Sequence, residues 1–136
     1  MFSKKMIVST LAVFVTMMAF GFIVFGLLLS EFYAANQGGL SLRPQGEELM
    51  GWLAAAELIM AYAFVWIWAH DAKENGINEG LRFGFFMGLF WATVEMMNYA
   101  FMPMQMNVMI IGFILDIIMF MCAGAVLSIV WSKVKD

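Results

Sequence analysis

The chain has 136 residues, 64% apolar and 12% charged, with a mean hydropathy of +0.88. Soluble domains are about half apolar and about a quarter charged, so an ordinary soluble domain is excluded, as is a disordered chain, which needs low hydrophobicity and high charge. Seven Lys and Arg stand against ten Asp and Glu without a basic patch, so no nucleic acid is expected as a partner. One Cys and one His exclude an internal disulfide and a His-rich metal centre.

Four long apolar runs follow in chain order, at residues 6–30, 50–69, 81–102 and 108–131. A helix rises about 1.5 Å per residue, and about 20 apolar residues cross a hydrocarbon core of about 30 Å. Each run is long enough to cross. The runs are continuous rather than alternating, which excludes a membrane β-barrel. The expected fold is therefore all-α, a single polytopic transmembrane four-helix bundle spanning residues 1–136.

The first run follows Lys4 and Lys5, as a signal peptide would. An h-region is usually about 7–15 residues long, whereas this run continues to Leu29 and is followed by a poor cleavage sequence. It reads as a retained helix. The segment 31–48 carries Gly38-Gly39 and Pro44, and the segment 70–80 carries Asn75-Gly76; both are turn signals. Phe20-Gly21-Phe22 and Phe83-Gly84-Phe85 are too short a likeness to establish an internal repeat.

Basic residues set the orientation. Lys4, Lys5, Lys73, Arg82, Lys133 and Lys135 fall on one side of the four runs and only Arg43 on the other. The positive-inside rule then places both termini and the segment 70–80 in the cytoplasm. Trp52, Trp131 and Tyr33 lie near run ends, where interfacial aromatics collect.

Lipid tails are as apolar as leucine, so membrane helices associate through close approach at small residues. The third run carries Gly80, Gly84, Gly88 and Ala92, spaced by four and therefore on one helix face. This stripe serves either an inward bundle seam or a homo-oligomer seam. Ala54 and Ala61 on the second run and Gly112 and Ala123 on the fourth are further packing positions.

Three carboxylates lie inside the runs: Glu57, Glu95 and Asp116. Each is about 10–12 Å from the outer end of its helix, so all three fall in one layer of the outer membrane half. Each shares a face with small residues, and Asn98 follows Glu95 by one turn. The expectation is a convergent polar centre in which at least one acid carries a proton at neutral pH, since burial and like charge both favour the neutral form. Such a centre acts as hydrogen-bonded glue between helices, or as a site for a proton, metal ion or organic cation.

Met102, Met104, Met106 and Met109 cluster at the outer turn around Pro103. Thioethers are soft ligands suited to Cu(I). Met is also plastic packing material, and this chain uses it 15 times; packing is the simpler reading. His70 and Asp71 follow the second run and end its helix, where a His is favoured by the helix dipole. No catalytic triad, phosphate loop or zinc spacing is present, so no enzymatic activity is expected. The composition specifies no cofactor.

Gly21 to Tyr33, the series Gly80, Gly84, Gly88, Asn98 and Phe101, and Asp116 followed by Gly124-Ala125 and Trp131 form a pattern. In it the chain resembles a group of small uncharacterised bacterial four-helix membrane proteins, defined as a domain of unknown function. Phe25-Gly26-Leu27 stands where that group shows Tyr-Gly-Pro. The resemblance implies a bacterial inner membrane and carries no activity. The function expected from the sequence is that of an accessory or assembly subunit, in contact with lipid and with other membrane subunits or further copies of itself. A proton- or cation-coupled transporter or channel-like module, using the acids, is the alternative.

Overall fold

The computed structural model describes residues 3–28, 50–71, 76–101 and 106–134, and these are helical almost throughout. Helix α1 (Lys4–Phe20) runs on into a π-helical segment, Gly21–Leu28. Helix α2 is Met50–Asp71, α3 is Ile77–Phe101 and α4 is Met106–Lys133. Helices are the natural solution for this chain, because an apolar medium offers no water to satisfy a backbone N–H or C=O left outside a helix. The tract 31–48 and the turn at Pro103 lie outside the described residues.

Local sequence sets the helix ends. Ser3 caps α1 by accepting a hydrogen bond from the Met6 N–H at 3.2 Å, which satisfies one of the free donors of the first turn. At the other end the Gly21 N–H is shared between Met17 O and Met18 O, where the π-helical segment begins. Gly76 enters α3 at φ 145°, a conformation that excludes most side chains, and its carbonyl accepts from the Gly80 N–H at 3.0 Å. This glycine belongs to the Asn75-Gly76 turn signal. Helices α3 and α4 begin four and two residues earlier than their apolar runs, because polar first turns, Asn78-Glu79 and Asn107, remain helical beyond the apolar core.

The helices alternate in direction. At one end of the bundle the Lys5 ammonium sits 4.5 Å over the Trp131 ring, joining the start of α1 to the end of α4. Trp68 meets Phe83 edge-on at 5.4 Å near the same end, joining the end of α2 to the start of α3. All four helices contribute to one core: Met6, Val13 and Met17 from α1; Ala61, Phe64, Val65 and Trp68 from α2; Phe83 and Met87 from α3; and Met119, Phe120, Ala123 and Leu127 from α4.

Three of the described helical stretches are long and apolar enough to cross a membrane: Lys4–Val24, Gly51–His70 and Met106–Lys133. They fit contact with a lipid bilayer, and Trp52, Ile59, Phe90 and Phe101 are each more than 70% exposed on the outside of the bundle. Helix α3 has the necessary length, at 25 residues. Its apolar character is diluted by Glu79, Arg82, Glu95, Asn98 and its glycines, and it lies along α4.

Candidate intramembrane carboxyl site

The site is built on the α3–α4 seam. Gly80, Gly84, Gly88 and Ala92 are the buried residues of α3. Opposite them α4 buries Gly112, Asp116, Phe120, Gly124 and Ser128, again at intervals of four. The backbones are in direct contact along this line. A β-carbon at Gly80 would run into the Gly124 carbonyl and stand 2.6 Å from Ser128 Oγ. At Gly84 it would meet the Phe120 carbonyl and, at 2.7 Å, Met121 Cα. At Gly88 it would stand 2.9 Å from Ile117 Cα. No side chain heavier than hydrogen fits at these three positions without moving backbone, so the stripe is a seam within the chain.

Glu95 sits at the far end of this seam from Gly80, seven residues beyond Gly88. Its carboxyl lies on Gly112: a β-carbon there would stand 3.0 Å from Glu95 Cδ. The absent side chain of Gly112 is therefore the space the Glu95 head fills. One turn further along α4, Asp116 is 6% exposed, and its carboxyl is a near neighbour of the Glu95 carboxyl across the seam. Two carboxylates cannot both accept. Asp116 Oδ2 remains buried without a hydrogen-bond partner. Asn98, half-buried, follows one turn beyond Glu95 on α3.

Glu57 stands apart. It lies on α2, half-buried, with Oε2 enclosed and lacking a hydrogen-bond partner. Among the described residues no three of His, Cys, Asp and Glu gather at one point, so Glu57 does not complete a cluster with Glu95 and Asp116. The common layer of three acids is thus a pair in one seam plus a single acid elsewhere. Distance from a helix end gives a position along the helix, but it does not fix which helices are neighbours.

Two polar groups that sequence reasoning passed over are buried on α1: Ser9 at 0% and Thr10 at 6% exposure, both with hydroxyl oxygens lacking a hydrogen-bond partner. Thr10 lines an open groove of about 430 Å³ between α1 and α2, with Ile7, Leu11, Leu58, Ile59 and Tyr62. Ser128, also missed, donates to the Ala125 carbonyl at 2.8 Å, satisfying itself within its own helix beside Gly80.

At the opposite end of the bundle, Arg82 forms a two-pronged pair with Glu79, with Nε to Oε2 at 3.2 Å. The hydrogen bond from the guanidinium holds the Glu79 carboxyl below its ordinary value. His70 Nδ1 lies 2.8 Å from the Trp66 carbonyl, and its ring stacks on Trp66 at 4.0 Å, so this His caps the last turn of α2. Of the outer methionines, Met106 is exposed and Met109 half-buried, while Met102 and Met104 lie outside the described residues. Among the described residues no group of three His, Cys, Asp or Glu is arranged to hold a metal ion.

No family model, curated protein or solved structure matches the chain.

Proposed function

We propose that this is a non-enzymatic integral membrane protein that serves as an accessory or assembly subunit of a larger complex in the bacterial inner membrane, with both termini in the cytoplasm. The observation that carries this reading is where the polar and apolar side chains go. The Glu95 and Asp116 carboxyls engage each other inside a helix seam closed by glycine backbone, while bulky apolar residues of α2 and α3 face outward. A side-chain hydrogen bond between membrane helices is glue. The loops are short, and the outer surface suits lipid and neighbouring membrane helices. The pairing of Lys5 with Trp131 puts the α1 start and the α4 end on one face, in keeping with the six basic residues assigned to the cytoplasmic side. The resemblance to the bacterial four-helix group supports the inner-membrane assignment.

Purification of the full chain in mild detergent tests the reading. A partner present in stoichiometric amount supports it. The chain isolated alone, with proton release on addition of a cation, would overturn it in favour of a proton- or cation-coupled module. That second reading has one observation in its favour, the unpartnered and buried Oδ2 of Asp116. It requires Asp116→Asn to abolish the proton release.

A further inference from the structure

Helix α1 begins with two lysines on different sides. Neighbouring residues of a helix are about 100° apart. Lys5 lies over Trp131, on the α4 side. Lys4 is exposed, and among the described residues no ion pair engages it. Lys4, Ile7 and Leu11 stand at i, i+3 and i+7, so they share one face of α1. Ile7 and Leu11 are exposed apolar residues on the α1 wall of the groove of about 430 Å³ between α1 and α2. By helix rise, Lys4 stands about 4–11 Å from them, toward the start of the helix. The groove therefore has a cation at its mouth.

The α2 wall, which includes Leu58, Ile59 and Tyr62, leads to the same end of the bundle. Trp66 follows Tyr62 by one turn, on the face of Ile59 and Tyr62. It is exposed, and its ring is held by the stacked His70. An indole, with an apolar body and one N–H, suits the level where acyl chains meet headgroups. Thr10 also lines the groove, but its hydroxyl oxygen is enclosed, so the groove presents apolar atoms. An apolar trough that ends at a cation and an interfacial indole matches a molecule with an apolar tail and an anionic head. An all-apolar helix from another subunit would fill the trough but gain nothing from Lys4.

We infer that the α1–α2 groove holds one acidic phospholipid, with an acyl chain along Ile7, Leu11, Leu58 and Ile59 and the phosphate on Lys4. The lipid closes the space where the two helices part and so becomes a structural component of the bundle. Only insertion in a bilayer is required, so the site stands under either reading of the function.

The test is paramagnetic relaxation NMR on the full chain in phosphatidylcholine nanodiscs. A trace of phosphatidylglycerol or of phosphatidylcholine carries a nitroxide on one acyl chain. Broadening of the Ile7, Leu11, Leu58 and Ile59 methyl signals is expected to be about fivefold greater with the phosphatidylglycerol label, the factor for one basic side chain at an anionic surface. Ile110, Ile114 and Ile118, exposed on α4, should be broadened equally by the two labels. Lys4→Gln is expected to remove the difference at the groove, and Lys5→Gln to leave it. Equal broadening at the groove in the unaltered chain overturns the inference, and that comparison needs no variant. A preference that survives Lys4→Gln or is lost in Lys5→Gln also overturns it, since the charge of the whole end would then select the lipid. Groove signals untouched by either label, with the α4 signals broadened, would show a protein segment over the groove and overturn it as well.

Discussion

The α3–α4 seam and the seat of α2 solve the same problem in opposite ways. Neither can rely on the hydrophobic effect, since lipid is as apolar as the bundle interior. In the seam, glycines bring backbone onto backbone: a β-carbon placed on Gly124 would stand 3.1 Å from Gly84 Cα. In the seat, α2 stands off at ring distance. Phe64 meets Phe83 at 4.8 Å and Phe120 at 5.7 Å, both tilted, and Trp68 meets Phe83 edge-on. The seam gains from many close van der Waals contacts along fixed backbones and from the approach of carbonyls to glycine Cα–H groups. The seat gains from a few large, offset rings. The lesson concerns tolerance. A seam made of backbone has nothing that can yield, whereas rings can shift rotamer and refill space.

This contrast can be broken most severely at Gly84. Gly84→Leu is expected to prevent the α3–α4 hairpin from forming, read as loss of the folded monomer in detergent. Gly84→Ala places one methyl against the Phe120 carbonyl and Met121 Cα, and is expected to destabilise by about 1–3 kcal/mol, the range for overpacking, or more because both obstacles are backbone. Thermal unfolding in lipid nanodiscs measures it.

The seat is expected to be more forgiving. Phe64→Leu should cost on the order of 1 kcal/mol, because Phe83 and Phe120 can close part of the space. A cost above that of Gly84→Ala would reverse the comparison.

The carboxyl pair at the Gly112 end of the seam behaves as a side-chain device within a backbone one. Glu95→Gln keeps the shape and supplies an N–H donor to Asp116, so the unfolding midpoint is expected to hold or rise slightly. Gly112→Val fills the space occupied by the Glu95 head and should lower it. If both variants behave alike, the Glu95 head does not rest on Gly112.

The smallest effect is expected at the exposed Glu79–Arg82 pair. The folded carboxyl titrates below its ordinary value, so its contribution is present at neutral pH and is lost as pH falls through that lowered value. Arg82→Gln should abolish this acid-side dependence and leave the midpoint at pH 7 essentially unchanged, as an exposed pair contributes little. Unfolding scans from pH 3 to pH 7 check it.

Much of this fold is legible in the residues, because periodicity reports geometry directly. Four continuous apolar runs give four helices, and Gly80, Gly84, Gly88 and Ala92 trace one face at a spacing of four. The answering face on α4 is harder to see. Phe120, a large residue, interrupts Gly112, Gly124 and Ser128, and it lies in the seam because its ring turns toward Phe64 while its backbone faces Gly84. The meeting of Glu95 with Gly112 and Asp116 follows from the antiparallel register of the hairpin, which spacing within one helix does not encode. For the same reason the place of Glu57 along α2 is readable and its separation from the other acids is not. The π-helical continuation at Gly21 has no sequence marker comparable to a proline.

The most direct test of the seam is a solid-state NMR measurement in bilayers of the carbon–carbon dipolar coupling between Gly84 Cα and Gly124 Cα. Backbone contact between α3 and α4 predicts a strong correlation at short mixing times, kept in Phe64→Leu and lost in Gly84→Leu. Absence of that correlation in the unaltered protein would show that the two helices do not touch at these glycines, and the account of the fold and of the carboxyl pair would fail with it.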